Sequence, residues 1–145
     1  MSLLARVEQH LKDANLANFN LIESASELAT VLTRSPQAGV NCWLVPLGER
    51  PEANRHTAGP ALQKINITFG VVIAVRSVND RRGNRGSDAL EAARVAVRNQ
   101  LYGWLPANAL TPILLGASDL IKMEQATLWW MDRYTTSVQY RAQHS

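Results

Sequence analysis

Two unbroken alternations of apolar with other residues constrain this chain more than any other feature. In the first, Ile65, Ile67, Phe69, Val71, Ile73 and Val75 alternate with Lys64, Asn66, Thr68, Gly70, Val72, Ala74 and Arg76. In the second, Leu128, Trp130, Asp132, Tyr134, Thr136, Val138 and Tyr140 alternate with Trp129, Met131, Arg133, Thr135, Ser137 and Gln139. A period of two is the signature of a β-strand, whose successive side chains point to opposite faces. At the rise of an extended chain, residues 64–76 would span about 43 Å and residues 127–141 about 50 Å. A compact domain of this length has a diameter of only about 38 Å. Strands that cross or overshoot the whole domain predict a sheet that continues beyond the subunit, and so an assembly component before an enzyme.

The 145 residues are expected to form one domain, 1–145, large enough to bury a core without covalent staples. No apolar run approaches the ~20 residues of a membrane-spanning helix. The N-terminus MSLLARVEQH is too polar for a signal peptide. The single Cys42 excludes an intrachain disulfide and fits a reducing, cytosolic site of synthesis. Net charge is +3, and only three of the fifteen basic residues are Lys. The Arg bias favours bidentate and interface contacts, whereas the modest charge does not by itself call for nucleic acid.

Along the chain, Ser2 is placed to cap a helix whose Leu3, Leu4, Val7 and Leu11 share one side, ending around Asp13–Asn15. A short extended piece from Phe19 to Ile22 follows. Ser24 and Glu27 have capping-box spacing ahead of a short helix with Leu28, Val31 and Leu32, broken by Ser35-Pro36 and Gly39. Val40, Cys42 and Leu44 alternate in a strand expected to end near Pro46 and Gly48. Residues 48–60 read as a polar loop without regular structure. After the first long strand and the loop 78–86, Ser87 or Asp88 is expected to cap a helix striped by Leu90, Ala93, Val97, Leu101 and Trp104, closed by Pro106. Leu110–Leu115 is a short apolar run. Asp119–Glu124 reads as a strand turning near Gln125 into the second long one. The element order is α-α-β-β-α-β-β.

No catalytic constellation emerges. His10, His56 and His144 are far apart and lack Cys or carboxylate neighbours at ligand spacing. No nucleophile elbow, phosphate-binding loop or dinucleotide fingerprint is present, so no metal and no cofactor is expected. Cys42, on an alternating strand, reads as a small core hydrophobe. Arg81, Arg82 and Arg85, interleaved with glycines before a helix start, are the one sharp electrostatic feature. A solvated loop, contact with an acidic partner or nucleic acid, and phosphate binding all remain open for them. A nucleic-acid-binding or other small cytoplasmic interaction module using these three arginines is the alternative to an assembly protein, though no aromatic residue is interleaved with them. Trp129 and Trp130 send one indole to each sheet face. One is expected to pack on the helix bearing Trp104. The other lies under another element or against another subunit, and the residues do not choose between these. Trp43, on its own strand, joins them as a candidate contact.

The order of elements and the long C-terminal strand resemble the tail terminator family of tailed bacteriophages, the group that includes minor tail protein U. The resemblance runs through MSLLARVEQHL, GVNCWLVPLGE, KINITFGVVIAVRS, GSDALEAARVAVRNQLYGWLP and TLWWMDRYTTSVQYRA. It implies an α+β fold, a mainly antiparallel sheet of about four long strands with helices packed on it. It also implies a structural role: a homo-oligomeric ring, hexameric in such proteins, that caps the finished tail tube, stops its polymerisation and offers a head-joining surface. The partners implied are tail tube and head-completion proteins, with DNA at most passing through the ring and no membrane. The location implied is the bacterial cytoplasm during assembly and then the virion tail. No catalytic residue carries over.

Overall fold

A computed structural model describes residues 1–56, 58–77 and 84–144, with the side chains of residues 84 and 85 excepted. The elements run α1 (Leu3–Asp13), β1 (Phe19–Ser24), α2 (Leu28–Leu32), β2 (Gly39–Pro51), β3 (Leu62–Arg76), α3 (Asn84–Leu101), β4 (Thr111–Glu124) and β5 (Thr127–Arg141). The sheet has the order β1-β2-β3-β5-β4. Every pairing is antiparallel except β1 with β2, which run parallel across the connection that carries α2. The fold is α+β with four long strands, as expected, and the extended piece after α1 is a short fifth strand.

Local chemistry explains most boundaries. Ser2 Oγ accepts the Ala5 N–H at 3.2 Å and starts α1, while His10 and Lys12 occupy its last turn, where the helix dipole favours positive charge. The Ser24–Glu27 capping box does not form. Ser24 closes β1, the next N–H, of Ala25, is spent on Leu44 O, and α2 begins after Glu27 without a side-chain cap. β2 does not stop at Pro46 or Gly48. A bulge absorbs Leu47, and the strand then pairs with β3 as far as Pro51 opposite Ile65. β1 runs beside β2 only as far as Leu44, so the segment with Pro46 and Pro51 has a free edge, where a missing N–H is tolerated. The helix expected from Ser87 begins three residues earlier, at Asn84, and ends at Leu101, ahead of Pro106. β4 and β5 form a hairpin through Gln125 and Ala126, both at positive φ (50° and 61°), the conformation that matches strand twist in a two-residue turn.

The two sheet faces are covered unequally. α1 and α3 lie on one face, over Cys42, Leu44, Phe69, Val71, Ile73, Val75 and Tyr134, and contribute Val7, Leu11, Leu90, Ala93, Val97 and Leu101. The other face is sealed by the short α2, whose Val31 joins Trp43, Val45, Val72, Ala74, Trp129 and Met131. At the centre of this face Gly70 leaves room that a Cβ would take from Met131 Sδ, 2.9 Å away. Length decides what stays uncovered. An 18-residue helix is about 27 Å long, whereas a 15-residue strand spans about 50 Å. Accordingly Phe69–Val75 are all buried, and Leu62–Thr68 of the same strand are only half-buried. Ile65 and Ile67, which share the face of Phe69 by alternation, therefore belong to a part of the sheet that outruns its helices.

Phe69 stacks on Tyr134 with ring centroids 5.7 Å apart, and both side chains are fully buried. Phe69→Ala is expected to cost about 3–5 kcal/mol. Denaturant titration checks this, and a midpoint close to that of the wild type would show that the pairing of β3 does not organise the core.

Candidate assembly surfaces

The most concentrated polar chemistry lies under α3. Asp132 of β5 is buried and accepts from Arg94 Nε at 3.0 Å, Arg94 Nη2 at 2.9 Å, Ser118 Oγ at 2.5 Å and Trp130 Nε1 at 3.1 Å. Arg94 also sits over the Trp130 ring, 4.3 Å from its centroid. Burial alone would raise the carboxyl pKa, but the hydrogen bonds from Arg94, Ser118 and Trp130 and the guanidinium charge outweigh it and hold it below its ordinary value. Burial, with the Asp132 charge adding to it, pushes the Cys42 thiol and the Tyr134 phenol each up to about 12. Neither is poised as a nucleophile or base at neutral pH. Every donor to Asp132 comes from the fold itself, so the cluster reads as a tie between α3, β4 and β5. Among the described residues, no group of three or more His, Cys, Asp and Glu side chains is arranged to hold a metal ion.

Trp129 and Trp130 do point to opposite faces, and the chain covers both. Trp129 stacks on Trp43 (5.7 Å, 13°) beneath α2, and Lys122 Nζ closes over it, 5.0 Å from the ring centroid and bonded to Leu32 O at 3.1 Å. Trp43 and Trp129 are both buried. Trp130 lies half-buried beneath Arg94 of α3. Trp104, expected on the α3 stripe, follows the helix and stacks on His10 at 3.7 Å, pinning α1 to the end of α3. Arg81 and Arg82, and the side chain of Arg85, lie outside the described residues.

The edge strand β4 carries what the sequence reading missed. Residues directly opposite on paired strands share a face. Leu115 pairs with Tyr134, Ser118 with Asp132, Leu120 with Trp130 and Met123 with Leu128, which places all four β4 residues on the α3 face. α3 lies over β2, β3 and β5, and leaves this row open: Leu115, Leu120 and Met123 are 44%, 50% and 68% exposed. The charges of β4 belong to the opposite face, where Asp119 pairs with Arg133, and Lys122 with Glu124 at 2.8 Å. The result is a strip of exposed apolar side chains along an open strand edge, interrupted by Ser118, whose hydroxyl donates to Asp132. Leu120 and Met123 fall in the expected strand and Leu115 ends the short apolar run before it, but the bulges of β4 hide the parity that joins them.

A second apolar surface lies elsewhere on the same side of the molecule. Leu3 and Leu4 of α1, Pro46 of β2, and Ile67 and Phe69 of β3 line an open groove of about 420 Å³ at the base of the overrunning strands. The strip is exposed along a strand edge and the groove is a hollow, and among the described residues neither is covered.

The sequence profile of a family described as phage tail terminator protein matches residues 3–144. No curated protein matches the sequence. Among solved structures, a chain in "Virion of native gene transfer agent (GTA) particle" superposes with a TM-score of 0.53 at 15% identity, over 96% of each chain. At that identity the likeness is one of fold. Among the described residues, no helix is long and apolar enough to cross a membrane.

The Asp132 tie carries a pH signature. A carboxyl whose folded pKa lies below its unfolded value adds stability above the unfolded value, and that stability is lost as pH falls through the folded one. The loss attributable to Asp132 should therefore set in near 3.8 and deepen below it. Asp132→Asn is expected to destabilise the protein by about 3 kcal/mol at neutral pH, because it leaves Arg94 without its counter-charge, and to flatten the acid limb of stability. Denaturant titrations across pH check this. Parallel acid limbs in the two proteins would remove Asp132 from the acid sensitivity.

Proposed function

Because this chain belongs to the phage tail terminator family, we propose that it forms a closed ring, most simply of six copies, that caps the tail tube, stops its polymerisation and presents the surface on which the head is joined. Membership makes it a structural tail protein, in a family that is not one of enzymes. The observation that carries the ring is the pair of unlike apolar surfaces. A ring needs a heterologous interface, in which two different patches of one subunit meet on neighbouring copies. The open strip of Leu115, Leu120 and Met123 is one such patch, and the groove of Leu3, Leu4, Pro46 and Ile67, floored by the buried Phe69, is the other. Strand edges pair readily with other chains, and closing a ring consumes them. Trp130 contributes from beneath the strip, opposite Leu120. Trp43 and Trp129, buried together, act by supporting the strand that presents it. The partners of the finished ring are the tube protein on one side and the head-completion protein on the other, assembled in the host cytoplasm and carried in the virion tail.

Leu120→Glu is expected to keep the far-ultraviolet circular dichroism of the wild type and to abolish the oligomer, since it sets a charge in the centre of the strip. Mass measurement in solution, alone and on assembled tail tubes, checks the reading. A wild-type protein that stays monomeric at high concentration and also on tubes would overturn the ring. Arg81, Arg82 and Arg85 serve assembly in this reading. Their joint replacement by Ser is expected to leave stability within about 1 kcal/mol of the wild type and to weaken, and make less salt-sensitive, the association with an acidic partner. Unchanged tail capping by the triple variant would take the loop out of the functional surface.

A further inference from the structure

At the end of the sheet remote from the overrunning strands, the exit of α2 and the β4–β5 turn enclose a notch of about 260 Å³, lined chiefly by Arg34, Ser35, Arg76, Glu124, Thr127 and Trp129. Its charge is unbalanced. Arg34 and Arg76 are exposed, and neither is in an ion pair among the described residues. Arg76 is steadied by the backbone, its Nη1 donating to Pro36 O at 3.3 Å, and its register opposite Gly39 and Thr127 fixes where its side chain starts. The one carboxylate of the lining, Glu124, is already held by Lys122 at 2.8 Å. Among the described residues, two guanidinium groups are thus left without a counter-charge around a small hollow whose wall also carries Ser35, Thr127 and Trp129.

We propose that this notch binds carboxylate side chains of an acidic segment on a partner protein. Guanidinium groups bind carboxylates through paired, charge-assisted hydrogen bonds, and the hollow has room for one or two side chains. Duplex nucleic acid calls instead for a row of cations spaced along a backbone, and the notch holds two at one point. Glu124 adjoins Met123 of the strip but faces the other side of the sheet, and Arg34 and Arg76 belong to neither the strip nor the groove, so the notch does not depend on ring formation. Only the identity of the partner, a neighbouring protein in the tail, rests on the reading above.

The test uses the full chain and a fluorescein-labelled hexaglutamate peptide, read by anisotropy at low salt, with hexaglutamine and a 20-base-pair duplex as comparison probes. Hexaglutamate should bind and hexaglutamine should not. Arg34→Ser and Arg76→Ser should each weaken binding about tenfold, and the pair should abolish it. Glu124→Gln should bind at least as tightly as the wild type. Thermal unfolding verifies that the variants fold, and Arg34→Glu, outside the sheet, serves should Arg76→Ser prove unstable. Leu120→Glu should bind the peptide like the wild type, which separates failure of the notch from failure of the ring. Absence of hexaglutamate binding at millimolar concentration, or unchanged binding by the double variant, would overturn the proposal. Tighter binding of the duplex, lost in the same variants, would overturn it in favour of nucleic acid.

Discussion

Everything in this molecule is registered against the ladder between β3 and β5. The two strands pair from Leu62 opposite Arg141 to Arg76 opposite Thr127 without an irregularity. Because side chains alternate strictly, this one register assigns Phe69, Val71, Ile73 and Val75 to the face of α1 and α3, together with Trp130, Asp132 and Tyr134. It assigns Val72, Ala74, Trp129 and Met131 to the face of α2. A slip of one residue would exchange the faces and carry the buried carboxylate away from Arg94. The ladder is also longer than any helix laid on it, so one continuous element both builds the core and projects beyond it.

Asp132 turns that register into a fixed position for α3. An apolar helix on an apolar sheet can slide with little loss, since the contact is non-directional. The bidentate contact of Arg94 with a buried carboxylate is directional, and the hydroxyl of Ser118 extends it to the edge strand. The position of β4, and so of its exposed leucines, is tied through this carboxylate to the helix.

The two long strands could be read from the sequence because nothing interrupts their period. β4 is nearly as long, but only its second part, Asp119–Glu124, reads as strand, because register shifts between Thr111 and Leu114, Leu115 and Ser118, and Leu120 and Lys122 break its parity. Residues 48–51 read as loop because Gly48 and Pro51 are breakers in isolation, whereas in the fold β3 supplies a partner and the opposite edge is free. Ser24 and Glu27 matched a capping box in spacing, but the claim of β1 on Ser24 came first. For the candidate surfaces, the opposed directions of Trp129 and Trp130 followed from their adjacency. That α2 and Lys122 would cover one and Arg94 the other depends on contacts between distant residues, and so does the meeting of Arg34 with Arg76.

The strand order has a consequence for how the chain must fold. β4 precedes β5 in the sequence but lies outside it in the sheet, so it has no neighbour until β5 inserts between it and β3. The central strand β3 likewise has one of its two partners only once β5 is available. The central β3–β5 pairing is therefore non-local, and it slows folding because distant segments must meet before their contacts reward them. During synthesis, β4 would leave the ribosome as an unpaired apolar segment. The same order prevents a partly made chain from presenting a finished edge to its neighbours, because that edge exists only once the chain is complete through β5.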